Sequence, residues 1–336
     1  MTEQYLALYR KYRPQTFDDV VGQEHIVTLL QNAMKHNKVT HAYLFCGGRG
    51  TGKTTVARIF ARDIGCHDED IIELDAASNR GIDEVRELRD AVRTAPFSSP
   101  YKVYIIDEAH MLTKEAANAL LKTLEEPPAH VIFILATTDP EKLPATIVSR
   151  CQKVIFKQPD IATLANRLSH VAKSEGLLLE EEAAHLIASH GKGSYRDALG
   201  ALEQMFTIFP KKITYTDTLT HLGVSSREAV YVLLEAVCVK NAKQIVTVCG
   251  ELSQTNGQAL QTYDDFIELV RTALLLRVGE EAQEGEGRLL LLAKEHPHTI
   301  ASKYILFLLQ NRHLVTISES SGWIAFEAIL LQSLES

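Results

Sequence analysis

Cysteine pairs at metal-binding spacing are missing from this sequence. Its five cysteines, at 46, 66, 151, 238 and 249, are scattered, and no two form a C-x-x-C. That argues against a disulfide framework and for a reducing compartment. Long apolar runs are missing too. Nothing approaches the ~18 residues a membrane span needs. The polar opening MTEQYLALYRKYRPQTFDD holds no secretory core. A cytoplasmic protein with no membrane partner is expected. Nor is there an excess of positive charge. At −8 overall the chain is no histone-like cation, and contact with nucleic acid would need a localised basic surface. What remains, 46% apolar and 23% charged over 336 residues, is globular composition with material for two or three domains.

Short β-rich runs recur through the first 160 residues, at 43–45, 71–76, 102–110, 131–138 and 153–156. Helical stretches lie between them at 55–64, 82–94 and 113–125. The apolar runs do not alternate, as expected for strands covered on both faces. Alternating β and α elements predict a parallel α/β sheet. From about Asp160 the strands stop, and three helices broken by glycines follow. FPKKITYTD (209–217) reads as a short linker. From Ser225 onward the pattern is helical, with Val230, Leu233, Leu234 and Val237 at i, i+3, i+4, i+7. GEEAQEGEG (279–287) reads as a solvated loop. Three blocks emerge: α/β over 1–158, a small helical unit over 159–222, and a helical bundle over 223–336.

The stretch GGRGTGKTT, Gly47, Gly48, Arg49, Gly50, Thr51, Gly52, Lys53, Thr54 and Thr55, stands between a strand and a helix. It fits the P-loop template G-x-x-x-x-G-K-[ST]. Glycines let backbone amides close around phosphate, and the helix behind adds its positive end. Lys53 would reach the β- and γ-phosphates of a bound nucleotide, and the Thr54 hydroxyl would ligate Mg²⁺. KVYIIDEAH (102–110) runs from a buried strand into Asp107 and Glu108. A carboxylate at the C-terminal edge of such a strand lies beside the P-loop. Asp107 would hold Mg²⁺ through its water shell, and Glu108 would orient and polarise an attacking water. His110 reads as a helix-start or core histidine rather than a catalytic one.

Four further motifs keep a definite order: KYRPQTFDDVVGQEHI (11–26), ELDAASNRGIDEVR (73–86), ILATTDPEKLPATIVSRC (134–151) and GKGSYRDAL (191–199). With NALLKTLEEPP (118–128), they make residues 5–222 resemble the clamp-loader ATPases of the AAA+ superfamily, most closely the DNA polymerase III gamma/tau family. The resemblance implies an AAA+ P-loop fold with a helical lid and a C-terminal helical collar for oligomerisation. It implies ATP and Mg²⁺ as cofactors. The partners it implies are delta and delta-prime subunits, further copies of this chain, a sliding clamp and primer–template DNA. Thr138 matches sensor 1, with Thr137 the lesser candidate. Arg150 matches the arginine finger that reaches a neighbouring subunit's ATP, although alone it reads as a surface arginine. Arg196 matches sensor 2. Ser194-Tyr195-Arg196-Asp197 independently fits a capping box, which puts Arg196 in the first turn of a helix. Val21 and Gly22 match the adenine pocket, flanked by Arg10 and Arg13. Ser78, Asn79, Arg80 and Lys114 correspond to DNA-contacting positions, and a solvated-loop role is the alternative for each.

Two departures stand out. The family's four-cysteine zinc module is reduced here to Cys66, so no zinc site is expected. The chain also stops near the end of the collar, whereas the family's long form continues; it is a short form or a trimmed piece. Two other classes compete: a catalytically silent delta-prime-like scaffold, which the intact P-loop and acidic strand oppose, and a different AAA+ motor on DNA, such as a branch-migration helicase or a replication-fork recombination factor, which the SRC triplet and the collar-like bundle oppose.

Overall fold

The computed structural model describes residues 6–78, 91–222, 227–254, 258–280, 286–316 and 319–335. It divides into two compact units, Met1–Lys212 and Ile213–Ser336. Most of the helix expected over 82–94 lies outside the described residues.

The first unit is built on five strands: β1 (Ala42–Cys46), β2 (Ile71–Asp75), β3 (Lys102–Asp107), β4 (Val131–Thr137) and β5 (Gln152–Ile155). All pair in parallel, in the spatial order β2-β3-β4-β1-β5. Every residue of β1 and β4 is buried, which is why their sequences show no alternation. The faces nevertheless sort by parity. Tyr43 and Phe45 pack with Ile26, Leu30 and Phe60 on one side, while Leu44 packs with Leu120 and Leu124 on the other. The helices Glu24–Lys35 and Lys53–Asp63 therefore cover one face, and Lys114–Glu125 covers the other. Each fully buried Phe or Leu contributes about 1.5–3 kcal/mol to holding these layers together. The helix behind the glycines starts at Lys53, two residues before the expected 55, because Gly52 in left-handed backbone (φ 98°) serves as its N-cap.

Three helices complete the unit: Ile161–Ser174, Glu181–His190 and Tyr195–Ile208. Asp160 caps the first by accepting from the Thr163 amide at 2.6 Å. Two expectations need correction here. Strands do not stop at Asp160, because β6 (Leu178–Leu179) and β7 (Lys212–Ile213) follow. Two residues are too few to leave a period in the sequence. The linker expected at 209–217 likewise holds β7 and the start of the helix Tyr215–Leu222.

The second unit is helical, with Arg227–Cys238, Ala242–Gln254, Ala259–Val278, Gly287–Glu295, Ser302–Val315 and Glu319–Glu335 following Tyr215–Leu222. Val230, Leu233, Leu234 and Val237 are all buried in its core, as their spacing predicts. Tyr263 meets Phe326 edge-on at 5.0 Å in the same core. No described helix is long and apolar enough to cross a membrane.

Candidate functional site

The sheet order sets the site. β4 lies between β1 and β3, so the segments leaving the carboxyl ends of these three strands emerge side by side. Those segments are Gly47–Gly52 after β1, Asp107 and Glu108 at the end of β3, and Thr137 and Thr138 at the end of β4. Crevices at this edge are where open α/β sheets bind ligands. A cavity of about 700 Å³ opens there, lined among others by Val21, Lys53, Thr54, Asp107, Glu108 and Arg196.

Two glycines are required by close approach. A Cβ on Gly47 would sit 2.6 Å from the Phe156 carbonyl oxygen. A Cβ on Gly50 would sit 1.9 Å from Ser194 Oγ, in backbone already at φ 70°. The loop's side chains bind its own backbone. Lys53 is 6% exposed, and its Nζ donates to the carbonyls of Gly47 (2.9 Å) and Gly48 (2.8 Å). Burial lowers the Lys53 pKa below the usual lysine value, and Glu108 and Asp107 oppose that shift. Thr51 Oγ1 donates to Gly48 O at 2.9 Å. Thr54 Oγ1 donates to Asp107 Oδ2 at 2.6 Å, so the two oxygen groups expected to serve a divalent cation already touch. Thr55 Oγ1 accepts from Arg13 Nε at 2.9 Å. Arg13 is lowered below the usual arginine value by burial and by neighbouring Arg58. Arg49 is exposed and lines the cavity.

The remaining expected residues divide. Arg196 lines the cavity and stands 5.8 Å from the Tyr9 ring. Its helix is capped by Ser194 Oγ, which accepts from the Asp197 amide at 3.2 Å. Val21 lines the cavity, and its carbonyl accepts from Tyr195 Oη at 2.9 Å. Gly22 lies beneath that same hydroxyl. Thr138 is not among the lining residues but donates to Glu108 Oε2 at 3.1 Å. Arg150 is also not among them; its guanidinium is held by Glu125 (2.5 Å) and by the Thr146 carbonyl (2.7 Å). Ser78 is exposed and donates to Asp75 Oδ2 at 2.9 Å. Lys114 is exposed at the first turn of its helix. Asn79 and Arg80 lie outside the described residues. Cys66 is buried and donates to the Tyr101 carbonyl at 3.2 Å, and its thiol is pushed up to about 11 by burial. These are the properties of a packing thiol rather than a ligand.

Sequence reasoning missed part of the wall. Arg58 bonds Glu73 through Nε at 2.6 Å, and both line the cavity. Arg58 stands four residues after Thr54 on one helix, so the i, i+4 rule places it on the same face. Arg167 reaches the Tyr12 carbonyl at 2.8 Å across 155 positions of sequence, and no local pattern announces that contact. With these, among the described residues, seven cationic side chains line the cavity against four carboxylates.

Similarity to known proteins follows the same outline. Residues 22–80 and 69–160 match the family model described as DNA polymerase III, delta subunit. Residues 163–208 match the DNA polymerase III clamp loader subunit, ATPase lid domain. The chain is 44% identical over 294 residues to DNA polymerase III subunit tau of Bacillus subtilis, covering 81% of this chain and 52% of that one. It is 36% identical over 288 residues to DNA polymerase III subunit gamma of Buchnera aphidicola, covering 80% and 78%. The chain belongs to the DNA polymerase III gamma/tau family. It spans about half the length of the Bacillus relative and of its Escherichia coli counterpart, to which it is 36% identical over 334 residues. Among solved structures, a Thermotoga maritima RuvB Holliday junction branch migration motor superposes with a TM-score of 0.54 at 20% identity, covering 82% of this chain and 94% of that one. At that identity the likeness concerns fold alone. This gamma/tau family chain thus has the AAA+ P-loop nucleotide-binding fold, with a parallel sheet, a helical lid and a C-terminal helical bundle.

Proposed function

We propose that this chain is the ATPase motor subunit of a DNA polymerase III clamp loader. ATP binding and hydrolysis would drive opening of the sliding clamp and its loading onto primer–template DNA. The observation that carries the reading is the convergence of Lys53, Thr54, Asp107, Glu108 and Arg196 on one cavity in a chain of this family. The backbone amides of Gly47–Thr55 would cradle the phosphates, with Lys53 on the terminal two. Val21 and Gly22 would border the base. Thr54 and Asp107 offer hard oxygen donors in direct contact, a donor set suited to Mg²⁺. When bound, that ion neutralises phosphate charge. Glu108 would take a proton from the attacking water. The water oxygen bonds the terminal phosphorus, the bond to the bridging oxygen breaks, and ADP and phosphate leave. Thr138 would sense the terminal phosphate, and Arg196 would join it to the lid.

The division into 1–158, 159–222 and 223–336 enters as part of this proposal, with the last block as the collar that assembles copies of this chain with delta and delta-prime. Arg150 would act across a subunit boundary, exchanging Glu125 for a neighbour's phosphate. Ser78, Asn79, Arg80 and Lys114 would track the DNA backbone, giving a salt-dependent, sequence-independent interaction. The role puts the protein at the replisome, in the cytoplasm.

The test is ATP turnover by the chain alone, then with partner subunits, clamp and primed DNA. Assembly and DNA should raise turnover. Arg150→Ala should remove roughly 10³-fold of the stimulated rate while nucleotide binding persists. Turnover in the full assembly that ignores Arg150 overturns the trans role, and no turnover in any mixture overturns the motor.

A further inference from the structure

Glu108 leaves β3 in left-handed backbone, at φ 47°. A residue carrying a Cβ adopts that conformation only under strain, which the surroundings must hold. Two backbone bonds do so: the Glu108 amide donates to Asp107 Oδ1 at 3.0 Å, and its carbonyl accepts from the Met111 amide at 2.8 Å. The side chain is bracketed as well. Thr138 Oγ1 donates to Oε2 at 3.1 Å. His110 Nδ1 stands 3.5 Å from the same oxygen and 3.0 Å from Thr137 Oγ1. Thr137 is fully buried, and its hydroxyl oxygen also accepts from the Asp139 amide at 3.0 Å. The His110 ring is 11% exposed, so the bracket is largely shielded from water.

The tautomer follows from this arrangement. A lone pair on Nδ1 would face a carboxylate oxygen and repel it. A proton on Nδ1 instead points between two acceptors, Thr137 Oγ1 at bonding distance and Glu108 Oε2 just beyond it. A histidine so placed acts on the carboxylate rather than on anything in the cavity; His110 itself is not among the lining residues, whereas Glu108 is.

We propose that His110 is a positioning residue for Glu108. Its Nδ1–H, steadied by the Thr137 hydroxyl, fixes Oε2 together with Thr138, and uptake of the water proton falls to Oε1. The inference rests on the reading of Glu108 as the group that polarises water. The strained turn supplies the approach, and the histidine removes the rotational freedom that a glutamate on such a turn would keep. A carboxylate held in one orientation loses less to misalignment at the moment of transfer.

The experiment measures kcat, KM for ATP and affinity for a fluorescent ATP analogue. The chain is assembled with its partner subunits and primed DNA, as wild type and as His110→Ala, His110→Asn, His110→Gln and Glu108→Gln. An asparagine amide can place an N–H near the Nδ1 position, whereas a glutamine amide reaches past it. His110→Ala and His110→Gln should lower kcat about tenfold, a fraction of the 10²–10⁴ a general base supplies. KM and analogue affinity should stay within about threefold. His110→Asn should recover most of the rate. Thr137→Val added to His110→Ala should cost little more, because both remove one bracket. Wild-type kcat in all three His110 variants overturns the inference, as does equal impairment of the Asn and Gln variants or a parallel loss of nucleotide affinity. Should His110→Ala fail to fold, the contrast between Asn and Gln decides. The underlying reading has its own indicator: if Glu108→Gln turns over like wild type, the assignment of Glu108 is what fails.

Discussion

Asp70 accepts hydrogen bonds from three consecutive backbone amides, those of Phe97 (2.6 Å), Ser98 (3.0 Å) and Ser99 (3.0 Å). It thereby ties the segment entering β2 to the loop before β3. Burial pushes its pKa up, but the bonds from Ser98, Phe97 and Ser99 outweigh burial and hold it at about 2. The folded pKa is depressed, so the stability Asp70 contributes is present above the ordinary aspartate range near pH 4. It is lost as pH falls through about 2. Thermal melts of wild type should decline between those pH values more steeply than melts of Asp70→Asn. At neutral pH the variant should already be less stable by about 1–3 kcal/mol. Asp70 was not legible in the sequence, where Asp68, Glu69 and Asp70 look alike. Only a loop 27 residues further on tells them apart. Lys53, Thr54, Asp107 and Glu108 were legible because each belongs to a short local pattern with a stated chemistry. Arg167 and Tyr12 were not, because their contact spans 155 positions.

At the scale of elements, the helix Tyr195–Ile208 meets the P-loop through small groups. The Gly50 carbonyl accepts from the Tyr195 amide at 3.0 Å, and Gly50 leaves no room for a Cβ beside Ser194 Oγ. Gly50→Ala should push the helix start off the loop and weaken ATP-analogue binding by roughly tenfold or more, in line with the displacement of one aligned charge, Arg196. Gly200→Ala is the contrast, because it lies inside the same helix with nothing within 4 Å of the added Cβ. It should leave binding unchanged and raise stability by about 0.5–1 kcal/mol, read from denaturant midpoints. The five strands and the three lid helices were legible because each carries a continuous apolar run or a 3.6-residue period. The pair β6 and β7 was not, because two residues carry no period.

At the scale of the whole molecule, every described residue lining the cavity falls between Tyr9 and Leu199, inside the unit Met1–Lys212. A fragment ending at Lys212 should therefore bind an ATP analogue within about threefold of the full chain by fluorescence titration. It should also lose the stimulation of turnover that assembly provides, because the proposed collar is gone. The shift out of strands into helices after Asp160 falls inside this first unit and does not mark its boundary at Lys212. The exchange of Glu125 for a partner's phosphate by Arg150 rests on resemblance alone. The surplus of guanidinium and ammonium groups around the cavity adds a kinetic consequence. Viewed from a distance, an acidic chain turns away anions; close to this one opening, the local field reverses sign and draws them in. Capture of a polyanion is thus hastened only over the last few ångströms, within a screening length. Background electrolyte weakens the distant repulsion more than this short-range pull, so added salt should leave the arrival rate of a polyanion unchanged or slightly raised.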